Sequence, residues 1–131
     1  MLLDPFTTTI GQYVITLYGI KNCDTVKKAR KWLDDREIEY RFHDVRADGL
    51  ERETVMHWLQ TLGWEILVNK RSTTWKALDP TARDNMDDVT AAAAILEHPT
   101  LFKRPVLDTG HELHCGFSSA NYQTIFNHHT L

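Results

Sequence analysis

Cys23 is the residue whose position in the sequence points most directly to chemistry. It follows an apolar run at residues 14–18, which has the β-branched and aromatic composition of a buried strand. It precedes an amphipathic pattern in which Val26, Ala29 and Leu33 share one helical face. Unpaired N–H groups and the positive end of the helix dipole at such a junction favour a thiolate, which is the nucleophilic form of cysteine. We therefore predict a nucleophilic thiol here, with a buried structural cysteine as the alternative.

The composition is that of an ordinary globular protein. The chain has 131 residues, of which 42% are hydrophobic and 25% charged, enough for one domain with a buried core. A net charge of -3 gives no electrostatic reason to expect nucleic acid or an anionic membrane as a partner. No apolar run is long enough to span a bilayer. Two cysteines are too few for a disulfide framework, so we expect a cytoplasmic protein.

The first segment differs from the rest of the chain. Residues 1–12 are expected to be a poorly structured lead-in, or a tag or vector-derived extension added for expression. Asp4 and Pro5 interrupt the start and no basic segment precedes them, so the pattern of a secretory signal is absent. We predict that residues 13–131 form one domain.

Changes of hydrophobic period divide the remaining chain into strands and helices. The predicted elements, in chain order, are a strand at 14–18, a helix at 24–33, a strand at 40–45, a helix at 51–62 that stops at Gly63, a helical insert at 64–99, a hairpin at 105–115 and a last helix through Phe126. Within the insert we expect a short turn at 75–78 and a helix at 87–97 that is capped by Asp87 or Asp88. The last helix is expected to be capped by Ser118 or Ser119. The order β-α-β, helical insert, β-β-α is the plan of thioredoxin and glutaredoxin. We predict an α/β fold with helices packed on a mixed sheet.

Several segments of the chain together resemble one family. They are Leu-Tyr-Gly-Ile-Lys-Asn-Cys-Asp-Thr at 17–25 with the following Lys-Lys-Ala-Arg-Lys-Trp-Leu, Asn-Lys-Arg-Ser-Thr-Thr-Trp at 69–75, His-Pro-Thr-Leu-Phe-Lys-Arg-Pro at 98–105, and Gly-Phe at 116–117. In this order and at these spacings they resemble the arsenate reductase (ArsC)/Spx family of thioredoxin-fold proteins, and most of all its small YffB-type branch. The similarity covers about residues 14–126.

The resemblance implies roles for residues that lie far apart in the sequence. It implies that Cys23 is the redox-active thiol, that Arg71 and Arg104 point at it from two other loops, and that Pro105 is a cis-proline facing the site. A guanidinium offers a rigid fork of donors to an oxyanion or a carboxylate. Solvent-exposed charges are the alternative for the two arginines. The predicted substrate- or glutathione-binding residues are Lys21, Asn22, Arg71, Arg104 and Pro105.

Two departures from the family pattern narrow the expected chemistry. Val26 stands three residues after Cys23, where thioredoxins and Spx carry a second cysteine. A mixed disulfide would therefore be released by an outside thiol, for which glutathione is the obvious choice. Gly116 stands about where arsenate reductases carry a third arginine, so arsenate reduction ranks below general thiol–disulfide chemistry. Cys115 is predicted to be a small core residue, and the alternative is a resolving thiol if the fold brings it near Cys23.

Histidines near the end of the chain raise the question of a metal site. His111, His114 and Cys115 lie close in sequence, and His128 and His129 follow at the tail. On a strand the first two would face opposite sides, and the spacing matches no common zinc pattern. We predict no metal site.

The sequence thus predicts a glutathione-linked thiol reductase. Cys23 would attack a disulfide, a glutathionylated protein or an arsenate, with glutathione or another small thiol as cosubstrate and no bound cofactor. A protein disulfide is a possible substrate, and neither nucleic acid nor a membrane is expected as a partner. The rival hypothesis is a non-enzymatic regulator resembling Spx that docks on RNA polymerase. Trp75 is expected to be a core residue or the wall of a substrate groove.

Overall fold

A computed structural model describes residues 14–129 of the chain, with the side chains of residues 14–127. The predicted lead-in at residues 1–12 lies outside the described residues. So do the side chains of His128 and His129.

Four short strands form one mixed sheet in the order β2-β1-β3-β4. The strands are β1 Thr16–Gly19, β2 Arg41–Asp44, β3 Val106–Asp108 and β4 Leu113–Cys115. Strand β1 pairs in parallel with β2 and antiparallel with β3, and β4 pairs antiparallel with β3. Leu17 lies opposite Phe42 on one side and Leu107 on the other. The predicted α/β class with a mixed sheet is confirmed.

Helices account for most of the remaining described chain. They are α1 Asp24–Asp35, α2 Arg52–Leu62, α3 Trp64–Leu67, α4 Thr73–Ala77, α5 Pro80–Asp84, α6 Asp88–Glu97, a 3-10 turn at Pro99–Leu101, and α7 Ser119–His129. Within this part of the chain, no helix is both long and apolar enough to cross a membrane.

The helical insert is divided more finely than the sequence predicted. The expected short turn at 75–78 overlaps the second half of α4, which ends at Ala77. This helix begins at Thr73, where the Ser72 hydroxyl accepts the N–H of Trp75 at 3.0 Å. Asp87 caps α6 in a reciprocal pair with Thr90. Asp88, the other candidate cap, instead accepts the backbone N–H of Trp64 at 3.2 Å.

The structure also distinguishes between Ser118 and Ser119, the two candidate caps of the last helix. The Ser118 hydroxyl accepts the N–H of Asn121 at 3.1 Å, so this serine caps α7. The Ser119 hydroxyl accepts the indole N–H of Trp32 at 3.1 Å and ties α7 to α1.

Two apolar clusters form the core. Successive residues of a strand point to opposite faces of a sheet. Accordingly Leu17 and Leu107 belong to a cluster with α1 and α7, whereas Val106 belongs to a cluster with α2 and α6. The sheet is therefore covered by helices on both faces, and β1 reaches its carboxyl end between them.

Candidate active site

Cys23 lies at the first turn of α1, where the sequence analysis expected it. Its backbone is extended (φ −106°, ψ 122°), and its carbonyl accepts the N–H of Lys27 at 2.9 Å as the first bond of the helix. Its own N–H donates to the carbonyl of Ile20 at 3.4 Å. The residue is partly exposed and packs against the α2–α6 cluster. The thiol thus occupies a position where the N–H groups of a helix terminus stabilise negative charge.

A buried carboxylate holds the turn that precedes Cys23. Asp44, at the end of β2, accepts backbone N–H groups from Lys21 at 3.3 Å, Arg46 at 2.9 Å and Ala47 at 3.1 Å. Burial alone would raise the pKa of Asp44, but these three hydrogen bonds outweigh it and the pKa is lowered. Asp44 therefore positions the Cys23 turn as an anion. Asp44 was not among the site residues predicted from the sequence, although an aspartate at the carboxyl end of the strand next to β1 was a signal.

A cleft of about 560 Å³ opens beside the amino terminus of α1. Thr25 reaches it from α1, while Gly116 and Phe117 line it from the segment after β4. Four cationic side chains and one carboxylate also line it, namely Lys70, Arg71, Lys103, Arg104 and Glu65. Cys23, Lys21, Asn22 and Pro105 are not among the lining residues. Arg71 and Arg104 therefore line the same cleft as Thr25, which lies two residues after Cys23. Lys70 and Lys103 line this cleft as well.

The two arginines are held in different ways. Arg71 is exposed, its backbone N–H donates to the Asn69 side chain at 3.1 Å, and its guanidinium has no hydrogen bond to any residue that the structure describes. Arg104 is half-buried and donates through one terminal nitrogen to the carbonyls of Thr100 at 2.6 Å and Phe102 at 3.3 Å. Its Nε is buried and has no partner among the described residues. The Arg71 guanidinium is therefore accessible to a ligand, whereas the Arg104 guanidinium is held by two backbone carbonyls.

The segment after Arg104 joins the strand that carries Gly116. The Arg104–Pro105 peptide bond is cis, which is the isomer that the resemblance implied, and Pro105 is buried. The carbonyl of Pro105 accepts the N–H of Gly116 at 2.8 Å. Gly116 has φ +82°, and a Cβ built there would meet nothing within 4 Å. The position expected for a third arginine is therefore a bare part of the cleft wall.

Lys21 and Asn22 contribute exposed side chains next to Cys23. The backbone N–H of Lys21 donates to the Asp44 carboxylate. The binding roles assigned to these two residues, and to both arginines and Pro105, stay predictions.

Cys115 is a partly buried residue of β4 that packs against the α2–α6 cluster. Its thiol donates to the carbonyl of Ile66 at 3.6 Å. Burial raises the pKa of the Cys115 thiol. Both cysteines are free.

His114, one of the residues considered for a metal site, contacts a neighbouring carboxylate. His114 Nε2 lies 2.9 Å from a carboxylate oxygen of Glu112. Between residues 14 and 127, no group of three or more histidine, cysteine or acidic side chains could hold a metal ion.

Residues next to the predicted arginines were the main omission of the sequence analysis. Lys70 precedes Arg71 and Lys103 precedes Arg104, so each loop presents two consecutive cations to the cleft. The pairs were visible in the sequence, but nothing local distinguishes them from solvated surface charges. Trp75 stacks on Trp64 with ring centroids 6.3 Å apart and an angle of 22° between the planes. It does not line the cleft itself.

Comparison with known proteins identifies the family. Residues 18–125 match the ArsC family. The chain belongs to the ArsC family. A solved structure of a YffB protein is 40% identical to this ArsC-family chain, covers 85% of it and 97% of its own length, and has a TM-score of 0.81. A solution structure described as an arsenate reductase (ArsC) related protein from Brucella melitensis is 45% identical, covers 86% of this chain and 94% of its own, and has a TM-score of 0.71.

Regulators also occur among the relatives of this ArsC-family chain. A protein of Streptococcus pyogenes named global transcriptional regulator Spx is 26% identical over 108 residues, which is 80% of this chain and 79% of that protein. The predicted resemblance to the ArsC/Spx family and its YffB-type branch is confirmed.

Proposed function

We propose that this protein is a thiol-dependent reductase that works with a single nucleophilic cysteine, Cys23, and uses glutathione as its thiol. The observation that carries the proposal is the partly exposed Cys23 at the amino terminus of α1, beside a cleft lined by four cations. Cys23 is accessible at a helix terminus, and the cationic cleft suits an anionic thiol compound. The likeness to a protein described as arsenate reductase related supports an oxidoreductase.

The reaction needs two thiol–disulfide exchanges. The Cys23 thiolate attacks the glutathione sulfur of a glutathionylated substrate, so that a Cys23–glutathione disulfide forms and the substrate leaves as its thiolate, which takes up a proton. The thiolate of a second glutathione then attacks that disulfide at the glutathione sulfur. Oxidised glutathione is released and Cys23 returns as a thiolate. The substrate gains two electrons, which two glutathione sulfurs supply in forming their disulfide.

The need for an outside thiol follows from the surroundings of Cys23. Val26, three residues later, is fully buried against the core and offers no second thiol in the first turn of α1. Glutathione carries carboxylates that the arginines and lysines of the cleft can bind. We place the reaction in the cytoplasm, where glutathione keeps thiols reduced.

Arsenate is the weaker substrate in this proposal. A tetrahedral oxyanion would be bound by Arg71, Arg104 and the N–H groups that begin α1. Gly116 supplies no third guanidinium, so we rank disulfides and glutathionylated substrates above arsenate.

Turnover of a glutathionylated peptide by glutathione, coupled to glutathione reductase and NADPH, tests the proposal. We expect Cys23-dependent turnover that Cys23→Ser abolishes and Cys115→Ser retains. Mass spectrometry should find one glutathione on the wild type and on Cys115→Ser, and none on Cys23→Ser. No turnover by the wild type, or equal turnover by Cys23→Ser, would overturn the proposal.

A regulator that binds RNA polymerase is the second candidate. The likeness to a protein named global transcriptional regulator Spx favours it. Two results together would favour the regulator over the reductase. The purified protein would bind RNA polymerase equally well as wild type and as Cys23→Ser, and it would turn over no disulfide.

A further inference from the structure

Lys70 is a cation of the cleft whose ammonium group is held by two indole rings. Its Nζ lies 4.9 Å from the centroid of the Trp64 ring and 5.8 Å from that of Trp75. Both distances are within the range of a cation–π contact. The two rings stack on each other at 6.3 Å. These two contacts place the exposed Lys70 side chain at the wall of the cleft.

The two tryptophans are themselves fixed by hydrogen bonds of their backbones. The N–H of Trp64, the first residue of α3, donates to the Asp88 carboxylate at 3.2 Å. The N–H of Trp75, in α4, donates to the Ser72 hydroxyl at 3.0 Å. The pair of rings joins two separate short helices and forms a support for Lys70. Preorganisation of this kind lowers the entropic cost of binding a ligand.

The charges of the cleft are not balanced by the protein. Four cations line it against one carboxylate, Glu65. Within the described part of the chain, none of the four takes part in an ion pair. Arg71, whose guanidinium has no hydrogen bond to a described residue, can bind one carboxylate of a ligand through its planar donor fork. The ammonium group of Lys70 is then available for a second negative group.

We propose that Lys70 is a specificity-determining residue that binds a second carboxylate of the thiol cosubstrate, with Trp64 and Trp75 as its positioning residues. The cleft would then select thiols with two carboxylates, such as glutathione, over thiols with one or none. The inference rests on the proposed function and names a property of the same site.

A purely structural role for Lys70 makes a different prediction. The stem of a lysine can cover apolar surface while its ammonium group stays in water. Replacement by methionine, which is unbranched and of similar length, would keep that cover and leave the KM for any thiol unchanged.

The first experiment compares glutathione with its glycyl monoethyl ester, which lacks one carboxylate, in wild type and Lys70→Met. We expect the KM of the wild type to be about fivefold lower for glutathione than for the ester, the effect of one solvent-accessible ion pair. Lys70→Met should raise the KM for glutathione about fivefold, leave kcat unchanged and remove the difference between the two thiols. Trp75→Leu should raise the same KM by a smaller factor.

Lys76→Met is the matched control, since Lys76 is an exposed lysine of α4 outside the cleft lining. It should behave as the wild type. A Lys70→Met protein that still prefers glutathione over the ester by the wild-type factor overturns the inference and leaves the proposed function standing.

A second measurement separates the two proposals when no turnover is found. Binding of S-methylglutathione, which has both carboxylates and no free thiol, is measured by calorimetry for wild type, Lys70→Met and Lys76→Met. Weaker binding by Lys70→Met alone supports the inference even where the reductase proposal fails. Absence of binding by the wild type, or equal binding by all three, overturns it.

Discussion

Gly19 and Val26 lie so close together that a Cβ on the glycine would fall 2.7 Å from Cγ2 of the valine and 3.1 Å from its Cγ1. Gly19 ends β1 and Val26 is a fully buried residue of α1. The absence of a side chain at Gly19 thus allows the helix to pack against the end of the strand. This contact spans the turn that presents Cys23.

Exchange of Gly19 for alanine should overpack this contact. We expect Gly19→Ala to lower the free energy of unfolding by about 1–3 kcal/mol, because the added methyl group meets a buried side chain. Val26→Ala alone should cost a similar amount through the space it leaves. The double variant should lose less than the sum of the two, since the smaller residue at 26 accommodates the methyl group. Urea unfolding of the four proteins measures this coupling, and strictly additive losses would contradict the contact.

Asp44 should contribute stability that depends on pH. Its pKa in the folded protein is below its ordinary value of 3.8, so the folded state favours the carboxylate. The contribution is fully present above the ordinary pKa and is lost as the pH falls through the folded pKa. We expect Asp44→Asn to lose about 1–3 kcal/mol at pH 7 and to unfold with a weaker dependence on pH below about 4.

The control for Asp44 is its exposed neighbour. Asp48→Asn should change the free energy of unfolding by no more than about 0.5 kcal/mol. Urea unfolding between pH 3 and pH 7, the usual range for titrating a carboxyl group, measures both variants. An equal pH dependence for wild type and Asp44→Asn would contradict the assignment.

The two arginines should separate in their effects on stability. Arg104→Ala should lower the free energy of unfolding by about 1–2 kcal/mol, because the carbonyls of Thr100 and Phe102 lose a charged donor. Arg71→Ala should change it by no more than about 0.5 kcal/mol, since its guanidinium is exposed. Both variants should raise the KM for glutathione. Thermal unfolding and steady-state kinetics of each variant give the two readouts, and a KM unchanged in both would remove the arginines from the site.

The two cysteines should differ in their reactivity. The pKa of the Cys115 thiol is raised above its ordinary value of 9.0 by burial, so this residue remains a thiol at neutral pH. We expect iodoacetamide to alkylate Cys23, in the Cys115→Ser variant, faster at pH 7 than Cys115 in the Cys23→Ser variant. The rate at Cys115 should still rise above pH 9, the ordinary value. Equal rates at pH 7 would remove the basis for choosing Cys23 as the nucleophile.

The fold and the place of Cys23 could be predicted because their signals are local. The change from a strand composition to a helical period occurs within a few residues of Cys23, and the caps Asp87 and Ser118 were each one of two adjacent candidates. The insert was harder, because helices such as α4 and α5 have 5 residues each and are too short to show a helical period.

Only some residues of the candidate site were predicted, because most of its contacts join segments that are far apart in the sequence. Arg71 and Arg104 came from a resemblance to a family and not from their own surroundings. Lys70 could not be singled out, because its contacts with Trp64 and Trp75 depend on how α3 and α4 pack. Asp44 was missed because its three backbone partners belong to two different turns.

The sequence by itself determined the α/β class, the order of the elements and the position of Cys23 at the start of a helix, because apolar period and capping act between neighbours in the chain. The tertiary structure decided which charges share a cleft. Lys70 and Arg71 meet Lys103 and Arg104 there only because the segment before β3 returns to the insert, where Phe102 pairs with Val68. Contacts between residues so far apart in sequence depend on packing, which no local pattern encodes.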